Sequence, residues 1–203
     1  MLLRRLAGSA LRRGANDGGV LAAVRAEIAH ELSSSPPSLQ SQDIPDFSTV
    51  SDPQRGQEVL LRRRDASEEV LVSAMLAPLR FEGEEPLPRD ALMKVFVSKP
   101  DVKPVMRFDC RAFAGEGDGG SADYDVTAAC YHPFAGDAGV DKYEGPQFRD
   151  LDPQLQVALK GYLLARGVNS KLASSLLHHL VEKELWQYVN WLKTLEEMFS
   201  KDH

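Results

Sequence analysis

Residues 143–199 decide the fold and read YEGPQFRDLDPQLQVALKGYLLARGVNSKLASSLLHHLVEKELWQYVNWLKTLEEMF. The pattern predicts two amphipathic helices separated by a glycine. Asp152 and Pro153 mark the start of the first helix, because the carboxylate accepts hydrogen bonds from free amides and proline fits the first helical position. Gly167 ends that helix, since glycine adopts a left-handed backbone without strain.

The second helix is predicted to begin at Asn169 or Ser170 and to run to about Ser200. At 1.5 Å per residue it is roughly 45 Å long, which is more than a domain of this size buries in its own core. Apolar residues recur along it in steps of three and four, the spacing of a coiled-coil seam. This stripe either packs on its own subunit or joins subunits.

A second amphipathic helix is predicted near the N-terminus, where Val20, Val24, Ile28 and Leu32 recur in steps of four. We expect this helix to lie against the seam of the long C-terminal helix. The candidate oligomer seam therefore comprises Val24, Ile28, Leu185, Tyr188, Leu192, Leu195 and Phe199.

Between these helices the hydrophobic period changes from 3.6 to 2, which indicates strands. Apolar residues alternate with polar ones in three clear runs, at 70–76, 106–112 and 126–130, and in less regular runs at 47–51, 59–64 and 92–98. Short polar turns join the six or seven strands, so they must be antiparallel. The fold class is α+β. Two cysteines, Cys110 and Cys130, fall at expected inward positions too far apart for a disulfide.

The N-terminal stretch differs from the rest of the chain. Arginines are interspersed with leucines there, and no acidic residue precedes Asp17. This composition is typical of a mitochondrial transit peptide. A solvated basic tail or a chloroplast address would have similar composition. We predict a transit peptide at residues 1–25 and one acidic domain at residues 26–203.

The remaining chain is acidic. Loss of residues 1–25 removes five arginines and one aspartate, which changes the formal charge from −6 to −10. The electrostatic field of such a negative charge repels nucleic acid and attracts basic proteins. The alternative is that the acidity only keeps the protein soluble. The candidate acidic client surface comprises Glu82, Glu84, Glu85, Glu116, Asp118, Asp123 and Asp125.

No catalytic or cofactor-binding pattern stands out. Gly115, Gly117 and Gly120 match G-x-G-x-x-G, but they bridge two predicted antiparallel strands and open no helix. His178 and His179 are adjacent and point about 100° apart on a helix, so they do not chelate from one face. We expect no enzymatic activity, cofactor or metal site. No apolar run reaches the length of a membrane span.

The C-terminal segments YEGPQFRDLD, YLLARGV and KELWQYVNWLKTLEEMF resemble the mitochondrial acidic matrix protein family, also called the mitochondrial glycoprotein family, to which the receptor for a complement globular head belongs. The resemblance implies a strongly twisted seven-stranded antiparallel sheet flanked by one N-terminal and two C-terminal helices, assembled as a doughnut-shaped homotrimer. No N-x-[ST] sequon occurs at any asparagine, so glycosylation is not expected.

The resemblance also implies a function. Family members are non-enzymatic, chaperone-like binding proteins of the mitochondrial matrix that support ribosome assembly, translation and oxidative phosphorylation. Their expected partners are basic proteins or peptides, such as ribosomal or nucleic-acid-binding proteins, with no direct nucleic-acid binding. An alternative function is a structural assembly factor that docks one hydrophobic partner through the C-terminal helix.

Overall fold

The computed structural model describes residues 17–34, 44, 46–115, 122–132 and 144–200. Within these ranges the protein has three α-helices, and all three were predicted from the sequence. They are α1 (Asp17–Ser34), α2 (Pro153–Leu164) and α3 (Ser170–Ser200).

Backbone contacts divide the chain into two compact units, Met1–Ser41 with Val181–His203 and Gln42–Leu180. The first unit contains α1 and the C-terminal part of α3, and the second contains the strands, α2 and the first turns of α3. The predicted boundary after residue 25 falls inside α1. Residues 1–16 lie outside the described part of the chain, so the transit peptide stays a prediction.

In the first unit, polar contacts join α1 to the C-terminal part of α3. Arg25 Nε donates to Glu196 Oε1 at 2.8 Å, and the hydroxyl of Tyr188 donates to Glu27 Oε1 at 3.1 Å. These contacts confirm that the N-terminal helix pairs with the helix carrying the predicted seam.

In the second unit, eight strands are described, each antiparallel to its partner: β1 (Ser48–Ser51), β2 (Val59–Arg64), β3 (Glu69–Leu76), β4 (Phe81–Glu82), β5 (Glu85–Pro86), β6 (Ala91–Lys99), β7 (Val102–Ala114) and β8 (Ala122–His132). Six of them form one sheet in the order β1-β2-β3-β6-β7-β8. The short pair β4–β5 is a separate ladder between β3 and β6. The predicted antiparallel meander is therefore confirmed.

The large sheet has six strands among the described residues, whereas the family resemblance implied seven. The segment between β3 and β6 adds no strand to the large sheet. It turns back on itself at Gly83, whose φ of 63° lies in the left-handed region that favours glycine. This tight turn leaves only two residues on each side for the β4–β5 ladder.

One face of the large sheet forms the core. Paired residues in an antiparallel sheet share a face, and a buried row crosses five strands from Val59 to Val126. Residues of α2 and the first turns of α3 pack on this face, and the Phe108 and Tyr162 rings lie 6.1 Å apart. The largest fully buried side chains of this core are Val59, Leu61, Val72, Met93, Val95, Phe108, Leu163, Val168, Leu172 and Leu176.

A register shift changes the face that Cys130 occupies. The pairing of β7 with β8 is irregular between Asp109 and Cys110, where Cys110 pairs with Val126 but Arg107 pairs with Cys130. Because Arg107 alternates with the core residue Phe108, Cys130 lies on the opposite face of the sheet. The predicted core-facing position of Cys130 is wrong, although both cysteines are buried and free.

The turn between α2 and α3 follows its local sequence. Asp152 Oδ1 accepts from the amides of Gln154 and Leu155, as predicted for the helix start. Gly167 has φ +82°, and the next amide, of Val168, donates to the carbonyl of Leu163, which closes α2. Asn169 Oδ1 then accepts from the Leu172 amide and caps α3.

Candidate functional site

The two predicted acidic loops leave the same end of the large sheet. At the end of β3, Leu76 pairs with the first residue of β6, Ala91, which in turn pairs with Ala112 near the end of β7. The connection 77–90 between β3 and β6 therefore lies at the end of the sheet where β7 finishes and β8 begins.

Three predicted client-surface residues lie on the β4–β5 hairpin. Glu82, Glu84 and Glu85 are exposed to solvent, and Gly83 forms the turn between them. Within the described part of the chain, none of the three carboxylates forms an ion pair or a side-chain hydrogen bond. The hairpin therefore presents three uncompensated negative charges.

The other predicted acidic residues have different surroundings. Asp123 Oδ1 accepts from Ser170 Oγ at 2.9 Å and from the Tyr124 amide at 2.8 Å. Asp125 Oδ1 lies 3.9 Å from Lys160 Nζ. Both remain exposed, but each already has a partner. The predicted residues Glu116 and Asp118 lie outside the described residues.

A buried carboxylate that the sequence analysis did not identify anchors the base of the hairpin. Asp90 is 6% exposed, and its Oδ2 accepts from Arg80 Nη2 at 2.9 Å and from Arg111 Nε at 2.5 Å. Its backbone carbonyl accepts from the Ala77 amide, and Arg89 Nε donates to the Ala77 carbonyl. Asp90 therefore binds two arginines beside the hairpin and balances one of their two positive charges.

The predicted seam residues are not equally buried. Val24, Leu185 and Leu192 are buried, at 7%, 8% and 4% exposure. The remaining members of the candidate seam are partly buried: Ile28, Tyr188, Leu195 and Phe199. Val189, which the sequence analysis missed, is 2% exposed and lies one helical turn after Leu185. Whether this seam joins subunits stays a prediction.

Charged groups are also buried in the first unit. Glu31 and Lys183 are 6% and 5% exposed. Burial, followed by the charge of Glu27, raises the pKa of Glu31 above its ordinary value. Burial and the nearby carboxylates of Glu27 and Glu31 raise the pKa of Tyr188 to about 12. Glu31 follows Val24 by seven residues, so its place on the apolar stripe was the signal available in the sequence.

The surface of α3 exposes large apolar side chains near its C-terminal end. Trp191 is 56% exposed and its ring stacks on Tyr188 with centroids 6.0 Å apart. Met198, seven residues later on the same helical side, is 60% exposed. Leu195 lies between them and is partly buried.

The basic run of β2, residues 62–64, contacts a neighbouring acidic residue. Arg64 Nε lies 2.8 Å from Glu69 Oε1, and Arg62 Nε lies 3.9 Å from the same oxygen. Arg166 of the α2–α3 turn reaches Glu68 at 2.7 Å. Two of the three arginines in this run therefore share an internal acidic partner.

Reactive side chains also occur in a histidine–aspartate pair and in two cysteines, which lie in different parts of the described structure. His179 Nε2 lies 2.8 Å from Asp52 Oδ2. Burial raises the pKa of Cys110 to about 12, and burial also raises the pKa of Cys130 despite the nearby Arg107. In the part of the chain that the structure describes, no group of three or more His, Cys, Asp or Glu side chains could hold a metal ion. None of the described helices is both long and apolar enough to cross a membrane.

Sequence comparisons agree with the resemblance noted above. A family model described as mitochondrial glycoprotein matches residues 24–199. The mitochondrial acidic protein mam33 of Schizosaccharomyces pombe is 38% identical over 59 residues, which is 29% of this chain. That match spans 22% of the yeast protein's length, or about a fifth of it. Both descriptions place the relatives in the mitochondrion.

Two solved structures share the fold. The Trypanosoma brucei p22 protein superposes with a TM-score of 0.69 at 19% identity, and a hypothetical Leishmania major protein, described as a sequence homologue of human p32, does so with 0.69 at 20%. Each comparison covers 90% of this chain and 98% of the other. At these identities the likeness establishes the α+β fold alone.

Proposed function

Because this chain belongs to the mitochondrial glycoprotein family, we propose that it is a non-enzymatic, chaperone-like binding protein of the mitochondrial matrix. It holds basic protein clients, such as ribosomal or nucleic-acid-binding proteins, through its acidic surface. In this role it supports mitochondrial ribosome assembly, translation and oxidative phosphorylation.

The observation that carries this proposal is the set of uncompensated carboxylates on the β4–β5 hairpin, Glu82, Glu84 and Glu85. Charges without an internal partner retain their full attraction for a cationic client. Because the side chains are exposed, salt screens them over about 8 Å at physiological ionic strength. Client binding should therefore weaken as salt concentration rises.

We propose that the functional assembly is a homotrimer. Large apolar side chains exposed on α3, such as Trp191 and Met198, support self-association. A trimer carries three copies of the acidic hairpin, which strengthens its field. Native mass measured by light scattering is expected to be three times the subunit mass. A monomer mass at micromolar concentration would contradict this part of the proposal.

Charge substitution with a matched control tests the binding role. The variant Glu82→Gln/Glu84→Gln/Glu85→Gln removes the three hairpin charges. The control Asp101→Asn/Asp150→Asn/Glu197→Gln removes three exposed charges from other surfaces. Dissociation constants for a lysine-rich peptide are measured by fluorescence anisotropy at about 50 and 200 mM salt.

We expect the hairpin variant to bind the peptide at least about fivefold more weakly at low salt, and the control variant to change by less than about twofold. The hairpin variant should also show a smaller salt dependence. Equal losses in both variants would show that net charge alone matters. Salt-independent binding by the parent protein would contradict the electrostatic proposal.

The alternative function is a structural assembly factor that docks one hydrophobic partner through α3. The exposed rings and side chains at Trp191 and Met198 favour it. In that case Leu195→Glu, which adds a charge between them, abolishes partner recovery from mitochondrial extracts, whereas the hairpin substitutions leave it intact. The opposite pattern would favour the acidic hairpin.

The raised thiol pKa values of Cys110 and Cys130 support the non-enzymatic part of the proposal, because thiols are poor nucleophiles when protonated. The His179–Asp52 pair is the other arrangement that resembles catalytic machinery. A reproducible turnover that His179→Gln or Asp52→Asn removes would overturn this part.

A further inference from the structure

Exposed apolar side chains lie at the same end of the large sheet as the acidic hairpin. Met75 and Leu92 are 39% and 41% exposed, and they pair directly across β3 and β6. Phe81, the first residue of the hairpin, is 53% exposed. We call Met75, Phe81 and Leu92 the apolar patch.

Two residues of the apolar patch lie on the outer face of the sheet, where polar side chains are expected. Met75 and Leu92 alternate with the core-facing residues Ala74 and Met93, so both lie on the outer face. An antiparallel sheet with one dry face ordinarily carries polar residues on the other. Large apolar residues directly opposite each other on the wet face indicate an interaction surface.

The charges around the apolar patch identify the chemistry of its partner. Arg111 pairs with Leu92 across β6 and β7, but its guanidinium is bound by Asp90, which also binds Arg80. Arg80 and Arg111 share the one carboxylate of Asp90, and Arg89 donates to the Ala77 carbonyl, so these guanidinium groups are held by the chain itself. The hairpin glutamates, in contrast, have no cationic partner among the described residues. The surface combines apolar area with net negative charge. A complementary partner combines apolar side chains with net positive charge.

We propose that this end of the sheet binds amphipathic basic segments, whose apolar side chains pack on Met75, Phe81 and Leu92 while their lysines and arginines reach the hairpin carboxylates. The proposal rests on the proposed function and narrows its client class. Highly charged segments without apolar residues bind weakly, and clients with leucine or aromatic residues among their basic residues are preferred.

Two peptides of equal length and charge test this preference. One repeats Lys-Gly-Lys-Ser, and the other replaces every serine with leucine. Anisotropy titrations of the full chain should give about tenfold tighter binding of the leucine peptide, because burial of a leucine side chain contributes to affinity. In Phe81→Ser/Leu92→Ser the ratio should fall to about one, with the affinity for the serine peptide unchanged within about twofold.

A matched control comes from α2, where Val157 and Leu164 are 72% and 60% exposed. Val157→Ser/Leu164→Ser removes a similar exposed apolar area away from the hairpin and should retain the tenfold preference. Circular dichroism checks that each variant is folded, and Phe81→Ser alone provides a milder substitution. The hairpin glutamine variant should weaken both peptides equally and leave their ratio intact.

Each of the following outcomes would contradict the inference. Equal affinities of the parent protein for both peptides would refute the apolar contribution while leaving electrostatic client binding in place. No binding of either peptide would refute the proposed function as well. A preference that survives in Phe81→Ser/Leu92→Ser would place the apolar contact elsewhere. A changed native mass in that variant, with the preference retained, would assign the patch to contact with a second copy of the chain.

Discussion

Alanine substitutions at two glycines of the α2 region should change stability in opposite directions. Gly167 has φ +82°, which costs a residue with a Cβ roughly 1 kcal/mol. The added Cβ would lie 2.6 Å from Arg63 Nη1 and 3.3 Å from Phe47 Cε2. The guanidinium is the end of a flexible side chain and moves aside, whereas the ring must shift by a few tenths of an ångström.

The left-handed backbone and the close contacts of the added Cβ together predict that Gly167→Ala destabilises the fold by about 2 kcal/mol. For a chain of this size the expected decrease in Tm is roughly 4–8 °C. Gly161 lies inside α2, and a Cβ there meets no atom within 4 Å. Gly161→Ala should therefore stabilise by up to about 1 kcal/mol through helix propensity and raise Tm by roughly 2–4 °C.

Both variants are measured by urea and thermal unfolding, followed by far-ultraviolet circular dichroism at fixed protein concentration. Opposite shifts would support the local geometry of the α2–α3 turn. A neutral or stabilising Gly167→Ala would refute the left-handed conformation as a constraint. A destabilising Gly161→Ala would show that the surface of α2 is covered in solution, contrary to the open space around this glycine.

Three further predictions follow from buried polar groups. Glu68→Gln should lower the free energy of unfolding by roughly 2 kcal/mol, because it leaves the largely buried Arg166 guanidinium without its carboxylate. A double-mutant cycle with Arg166→Met, measured by urea unfolding, should show that the effects of the two substitutions on stability are coupled. Glu31 has a pKa above its ordinary 4.5, so the folded state holds the Glu31 proton more tightly than the unfolded state does, and stability falls as pH rises from 4.5 through the raised value. Glu31→Gln should remove this fall in stability, measured by thermal melts across the same pH window. An unchanged dependence of stability on pH in the variant would contradict the prediction. Cys110 and Cys130 should react with a thiol reagent at pH 8 only after denaturation, and rapid labelling of the native protein would refute their protonated, buried state.

The candidate site was partly accessible to sequence reasoning. Glu82, Glu84 and Glu85 were identified because they cluster in a short polar connection, and the structure places them on an exposed hairpin. Asp123 and Asp125 were identified by the same reasoning, but both have partners contributed by distant parts of the chain. Local clustering predicts exposure, yet it contains no information about which distant side chain neutralises a charge.

The same distinction applies to the seam. The heptad spacing identified Leu185 and Leu192, which are buried, because helical periodicity is a local property. The buried Glu31 and Lys183 were missed, since charged residues are ordinarily assigned to the solvent face. Their burial depends on the surroundings that the folded chain creates, which no single-helix pattern specifies.

By itself, the sequence determined the helices, the alternating strands and the family of this protein, because caps, turn glycines and hydrophobic periods act over a few residues. Tertiary structure alone decided the face of Cys130, which depends on one irregular pair between β7 and β8. It also decided that Asp90, and not the hairpin glutamates, binds Arg80 and Arg111. Both outcomes depend on strand register, and register brings together residues that are far apart along the chain.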